Sequence, residues 1–251
     1  MFLPQQKDAV HKAWMFRVLK EIAEDSYLVS VLRFKGGTCA SMRNLLDRFS
    51  VDLDFDLAGD KKEVPKVQKH LEMIFEELGL EIKDKSQKAP QYFLRYPGEG
   101  SSRNNLKIDT FFPPLKGNKY EAVRLVEINK ILYCQTIETM FANKLIALVD
   151  RFKKGRGIAS RDLYDIHYFF MRGYGYDKKI VEEYFDQNIA DFLKELDDFI
   201  DKNITQRTID QDLNFLLPPD KFQKTRKNLK PETLMFLRDE IKRVSVPRAD
   251  A

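Results

Sequence analysis

The spacing of apolar and polar residues divides the chain into two stretches of different period. Residues 5–24 read as an amphipathic helix, because Val10, Trp14, Val18 and Ile22 recur at helical intervals. The run 27–34, YLVSVLRF, is rich in β-branched and aromatic residues and stops at Gly36-Gly37, which predicts a strand entering a tight turn. Helical spacing follows over 38–49. The run 51–57, VDLDFDL, alternates strictly, so Val51, Leu53, Phe55 and Leu57 point to one side and Asp52, Asp54 and Asp56 to the other. A helix over 63–78 and strand-like runs at 81–84, 91–95, 105–112 and 122–132 complete a mixed first half. From Ile137 onward the period is helical, over 137–154, 160–171, 178–185, 189–200 and 231–244. The reading is an α+β chain, with a mixed-sheet domain over 1–135 and a helical domain over 136–251.

Composition narrows the setting. The 251 residues are 43% apolar and 33% charged, enough to bury a core in each domain. Two cysteines, Cys39 and Cys134, supply no disulfide framework, and no His/Cys spacing matches a zinc site, so a reducing cytoplasm is expected. The first residues lack an apolar core, and no stretch reaches the roughly 18 uncharged residues of a membrane span; neither secretion nor membrane insertion is expected. A net charge of +4 permits a polyanionic partner. Basic residues crowd two segments, Arg151, Lys153, Lys154, Arg156 and Arg161, and Lys221, Lys224, Arg226, Lys227 and Lys230. They read as solvated surface or as phosphate contacts for RNA.

The candidate chemistry lies on the alternating strand. Aspartates at every second position lie about 6–7 Å apart along one face, where their mutual repulsion invites a cation. A hard divalent ion such as Mg²⁺ accepts two or three carboxylates beside a substrate phosphate; the alternative is the wet face of a half-covered sheet. Upstream, Gly36-Gly37 between a strand and a helix would let backbone N–H groups approach a triphosphate. Downstream, the alternating run 106–111 offers Asp109 as one more carboxylate. Ile137, Phe141, Lys144 and Leu148 share one helical stripe, so Lys144 sits among apolar residues and needs a partner or an escape to solvent. Asp162 and Asp165 share a helix side, where Ser160 reads as the N-cap and the acids also suit the helix dipole. Tyr168 is a possible base-stacking ring among aromatics that otherwise read as core.

Four blocks in this order, KGGT (35–38), RFSVDLDFDL (48–57), ANKLIALVDR (142–151) and SRDLYDIHYF (160–169), give the chain a resemblance to the nucleotidyltransferase AbiEii/AbiGii toxin family, the toxin half of bacterial toxin–antitoxin and phage-defence pairs. The resemblance implies a polymerase-β-like nucleotidyltransferase core followed by a helical domain, an NTP donor, two Mg²⁺ ions, an RNA acceptor that in some members is the 3′ end of tRNA, and a separate antitoxin. Position by position, it implies that Lys35, Gly36, Gly37 and Thr38 hold the triphosphate, and that Asp52 and Asp54 bind metal with Asp109 as third carboxylate. It also implies that Lys144 contacts the NTP phosphates and that Asp165 and Asp162 serve the same chemistry. Arg48, read as the end of the preceding helix, is open between pairing a carboxylate and touching phosphate. Three other readings stand beside this one. Clustered aspartates with a lysine also suit a two-metal nuclease, although a nuclease has no triphosphate for the glycine pair to cradle. A non-catalytic NTP- or RNA-binding module and a protein-nucleotidylating enzyme are the others.

Overall fold

The computed structural model describes residues 3–97, 104–155 and 157–245. The chain divides into two compact units, residues 1–114 with 119–136, and residues 115–118 with 137–251.

The first unit is built on a mixed sheet. In chain order its strands are β1 (Leu32–Lys35), β2 (Asp52–Leu57), β3 (Glu81–Lys85), β4 (Tyr92–Arg95), β5 (Asn105–Phe111), β6 (Tyr120–Leu125) and β7 (Lys130–Gln135), and their spatial order is β3-β4-β5-β2-β1-β7-β6. The acidic strand β2 is therefore central, antiparallel to β1 and parallel to β5. Leu53, Phe55 and Leu57 are buried with Phe34, Tyr92, Leu94, Leu106 and Ile108. Two helices supply apolar stripes to this unit's core, α1 (Asp8–Glu24) with Met15, Val18, Leu19 and Ile22, and α4 (Val64–Glu77) with Val67, Leu71 and Phe75. Full burial of each such side chain is worth about 1.5–3 kcal/mol.

Three local readings change. Residues expected as one strand over 27–34 form a short helix, α2 (Ser26–Val31), before β1. Asp25 caps α2 by accepting the Leu28 N–H at 2.9 Å, and this cap holds a β-branched run in helix. The helix expected to reach residue 49 is α3 (Gly36–Met42), which stops where Asn44 turns left-handed at φ 57 and Leu45 N–H bonds back to Ala40 O at 2.9 Å. Arg48 consequently lies in the loop before β2 rather than at a helix end. The single run expected over 122–132 is the hairpin β6–β7, turning at Asn129 with φ 52.

The second unit contains, among the described residues, α5 (Ile137–Lys153), α6 (Ser160–Met171), α7 (Lys178–Phe185), α8 (Ile189–Asn203), α9 (Gln206–Leu213), α10 (Pro219–Thr225) and α11 (Leu229–Ser245). Helix α6 packs on α5, α9 and α11. Phe141 of α5 meets Phe169 and Phe170 of α6 edge-on, with ring centroids 5.3 and 4.8 Å apart. The sequence reading missed α9 and α10, because QRTIDQDL carries two apolar residues and PDKFQKT little beyond Phe222, too few to mark a period, whereas the equally short α7 has Ile180, Val181, Tyr184 and Phe185. No helix among the described residues is long and apolar enough to cross a membrane.

Candidate functional site

Two clusters gather the residues singled out from the sequence, one in each unit. In the first unit, β1 ends at Lys35 and the chain enters α3 through Gly36, which has φ +75. A Cβ there would stand 2.3 Å from Asp54 Oδ2 and 2.9 Å from Asp54 Cβ, so the carboxylate lies directly against the Gly36 backbone. Only glycine satisfies both the left-handed angle and this approach. The next position is equally tight: a Cβ on Gly37 would fall 2.8 Å from Ser50 Oγ and 2.9 Å from Arg48 Nη2. Arg48 is 2% exposed and donates to Phe49 O at 2.9 Å, so its guanidinium supports the glycine pair from inside the fold. Thr38 is fully buried and donates to Asp52 O at 2.5 Å, which ties α3 to the start of the acidic strand. His11, which the sequence gave no reason to single out, makes a 2.8 Å hydrogen bond between Nε2 and Val51 O, just before Asp52.

The three strand aspartates have different surroundings. Asp52 and Asp54 share one face by alternation and are partly exposed. Asp56 shares the expected face but is completely buried. It receives Lys35 Nζ at 2.5 Å, Tyr120 OH at 2.8 Å and Gln135 Nε2 at 2.8 Å, so it is an internal polar anchor rather than part of a wet face. Lys35 is thereby committed to Asp56. Across the parallel pair, Asp54 is in register with Asp109 of β5. Asp109 accepts from Gln91 Nε2 at 2.6 Å through Oδ1 and pairs with Lys107 Nζ at 2.5 Å through Oδ2. No group of three His, Cys, Asp or Glu side chains converges as a metal cage among the described residues. The donor set fits a cation that takes one or two carboxylates and completes its shell with water and substrate phosphate, which is the habit of Mg²⁺.

In the second unit, Lys144 of α5 projects between two acids of α6. Its Nζ lies 2.7 Å from Asp162 Oδ1 and 2.8 Å from Asp165 Oδ2. The lysine side chain is 17% exposed, whereas the acids are 3% and 0% exposed. Burial pushes the Asp162 carboxyl up, but Lys144, then Arg161 and Arg151, outweigh it and hold the group below its ordinary value. Asp162 Oδ2 makes no hydrogen bond, and Arg151 Nε stands 3.9 Å away. The cap of α6 comes from elsewhere than expected: Ala159 is the N-cap residue, Ser160 is the first helical residue, and Asp212 of α9 accepts the Ser160 N–H at 2.6 Å. Burial pushes the Asp212 carboxyl up, against the pull of that hydrogen bond and of Arg161. Tyr168 is 9% exposed and lies parallel to Tyr164.

Much of the basic sequence is spoken for within this unit. Lys154 pairs with Asp150, Arg226 with Asp210 and Lys230 with Asp201, while Lys153 lies over Phe185 and Lys221 over Tyr164. Arg156 lies outside the described residues.

Residues 17–245 match the family model described as nucleotidyl transferase AbiEii toxin, type IV TA system. No curated protein matches the chain by sequence. Among solved structures, one from H. pylori assigned as a nucleotidyltransferase is 20% identical with a TM-score of 0.58, over 97% of this chain and 100% of its own. JHP933 from Helicobacter pylori is 19% identical with a TM-score of 0.54, over 97% of each chain. MenT4, a nucleotidyltransferase toxin from Mycobacterium tuberculosis H37Rv, is 17% identical with a TM-score of 0.52, over 94% of this chain and 87% of its own. At these identities the likeness is one of fold alone.

Proposed function

We start from the fact that the chain belongs to the nucleotidyl transferase AbiEii toxin family of type IV toxin–antitoxin systems, and we propose that it transfers NMP from an NTP to the 3′ end of an RNA, with tRNA as the acceptor class. Family membership carries the nucleotidyltransferase activity and the existence of a separate antitoxin. The acceptor, the metal and the residue roles are our reading. The observation that supports it most is the seating of Asp54 against Gly36, which brings a partly exposed carboxylate directly against the strand-to-helix turn at the start of α3.

In this reading the acceptor hydroxyl oxygen bonds to the α-phosphorus in line, the bond to the bridging oxygen breaks, and pyrophosphate leaves. Asp52 and Asp54 would hold Mg²⁺, which when bound would supply neutralising charge for the triphosphate. Asp109, beside Asp54 on the neighbouring strand, is the carboxylate we assign to take the proton that the acceptor hydroxyl gives up as its oxygen bonds to phosphorus. The backbone at Gly36 and Gly37 takes the triphosphate. Lys35, Thr38 and Arg48 support it through Asp56, through Asp52 O and beneath Gly37 respectively. Lys144 supplies a positive charge for the NTP phosphates, and Asp162 and Asp165 hold its ammonium group.

The test is incubation of the protein with Mg²⁺, total RNA and each α-labelled NTP in turn, beside Asp54→Ala and Lys144→Ala. Label in a tRNA-sized band that both substitutions abolish is the expected result. Intact, unlabelled RNA refutes the reading, and label on protein instead identifies protein nucleotidylation. RNA shortened without labelling identifies a nuclease.

A further inference from the structure

The face of the sheet that carries Asp52 and Asp54 also carries large aromatic rings open to solvent. Phe93 of β4 and Phe111 of β5 are each 47% exposed, and Tyr133 of β7 is 46% exposed. Each lies under a cation: Lys107 Nζ is 5.8 Å from the centre of the Phe93 ring, Lys35 Nζ 4.6 Å from that of Phe111, and the Arg33 guanidinium carbon 4.9 Å from that of Tyr133.

The strand register sorts these residues into rows across the sheet. Phe111 is opposite Asp56, Asp56 opposite Arg33, and Arg33 beside Tyr133, because Phe34 is paired with Cys134 one position on. The next row runs Asp109, Asp54, Lys35. The row beyond it runs Phe93, Lys107, Asp52. Alternate positions along a strand are about 6.7 Å apart, so an acidic row is bordered on either side by a row that offers rings and cations. Phe111 and Tyr133 stand three strand spacings apart, about 14 Å.

We propose that this face is a stacking platform for the unpaired bases of an RNA strand, holding the acceptor end beside Asp54 and Asp109. The proposal rests on the transferase reading for its choice of RNA. The physical argument is independent of that choice. Aromatic rings left half exposed on a sheet gain nothing for the core, whereas every nucleobase has a face that can stack on them, at about 1–3 kcal/mol per base. Lys35 and Lys107 pair with Asp56 and Asp109, so the cations over these rings offset carboxylates that would otherwise repel the phosphates linking the bases. The rings border Asp54 and Asp109, where the acceptor reacts in the proposed reading, and this continuity favours nucleic acid over a protein ligand.

The test is binding of a fluorescently labelled single-stranded RNA oligonucleotide, followed by anisotropy without NTP or Mg²⁺. Phe93→Ala, Phe111→Ala and Tyr133→Ala are each expected to weaken binding by about 5- to 150-fold. Phe111→Leu is expected to behave as Phe111→Ala, and Phe111→Trp to keep wild-type affinity. A duplex of the same length, whose bases are already stacked, is expected to compete poorly. Thermal unfolding of each variant separates lost contact from lost fold. Unchanged affinity in all three alanine variants overturns the platform, as does full binding by Phe111→Leu. The transferase reading fails separately: a protein that binds RNA through these rings yet labels none with any NTP keeps the platform and loses the activity.

Discussion

Replacing Gly36 with alanine puts a methyl group where the fold has no room for one. The new Cβ would lie 2.3 Å from Asp54 Oδ2, 2.9 Å from Asp54 Cβ and 3.0 Å from Asp54 Cγ. Rotation of the Asp54 side chain relieves the first contact but not the second, because its Cβ is fixed by a strand bonded on both edges. The chain at position 36 must therefore move, or β2 must. Holding an L-residue at φ +75 costs about 1–2 kcal/mol, and overpacking of this kind adds about 1–3 kcal/mol. The expected loss is about 2–5 kcal/mol, a fall in Tm of about 2–4 °C for each of them. Gly79→Ala is the matched control, since Gly79 has φ +68 but a Cβ there meets nothing within 4 Å. It carries the backbone cost alone and leaves transfer unchanged. The assays are thermal unfolding by far-UV circular dichroism and the rate of label transfer from the preferred NTP. Gly36→Ala is expected to melt below Gly79→Ala and to lose about 100-fold in transfer, the usual effect of a misplacement of about 1 Å at reacting groups. If the two variants melt together and both transfer like the wild type, the close approach of Gly36 and Asp54 has no role in the site.

Asp56→Ala removes the buried partner of Lys35, Tyr120 and Gln135 and is expected to cost about 2–4 kcal/mol by urea unfolding, somewhat under the value for a pair with no solvent access; Asp52→Ala is expected to leave stability within about 0.5 kcal/mol. Lys144→Met leaves Asp162 and Asp165 buried without their cation, an expected loss of about 3 kcal/mol at pH 7. In the wild type, Asp162 is held below its ordinary value of 3.8, so its contribution is present above that value and fades as the pH falls through the lower folded one. With Lys144 gone, burial is opposed by the smaller pulls of Arg161 and Arg151 and becomes the leading influence on Asp162, so the urea midpoint of Lys144→Met should approach that of the wild type as the pH falls from about 7 to about 4.5. Asp212→Asn keeps an acceptor for the Ser160 N–H and removes a carboxylate whose ionisation burial opposes; it should gain on the wild type as pH rises from about 4 to 7, while Asp212→Ala loses about 0.5–2 kcal/mol with the cap.

How much of this was legible depended on whether the decisive contacts were local. The strict alternation of 51–57 is a local signal and gave β2 to within one residue. The same alternation placed Asp56 with Asp52 and Asp54, and the face is indeed shared. What it could not carry is that Lys35, Tyr120 and Gln135, from three other strands, close over Asp56 alone. The run 27–34 shows tertiary and capping forces overriding propensity, since one hydrogen bond from Asp25 at 2.9 Å starts a helix in residues that favour strand. Lys144 on an apolar stripe announced that it needed a counter-charge, and the helix that supplies two was visible by its own period. The cap of α6 was not legible: Ser160 looked sufficient, and the group that does the work stands 52 residues away on a helix with too few apolar residues to show a period.

The central place of β2 has a consequence for how this protein meets its substrates. Every hydrogen-bonding edge of the strand is occupied, by β1 on one side and β5 on the other, so Asp52 and Asp54 ride on one of the segments last to open in any local fluctuation. In the role we propose for them, these carboxylates are set in place by the sheet itself, and little backbone reorganisation is expected when a nucleotide binds. Native-state hydrogen exchange should show the β2 amides among the slowest in the chain, and saturating nucleotide should scarcely change them. Restraint that worked by loosening this strand would have to open the sheet at its centre, and the same exchange experiment would register it.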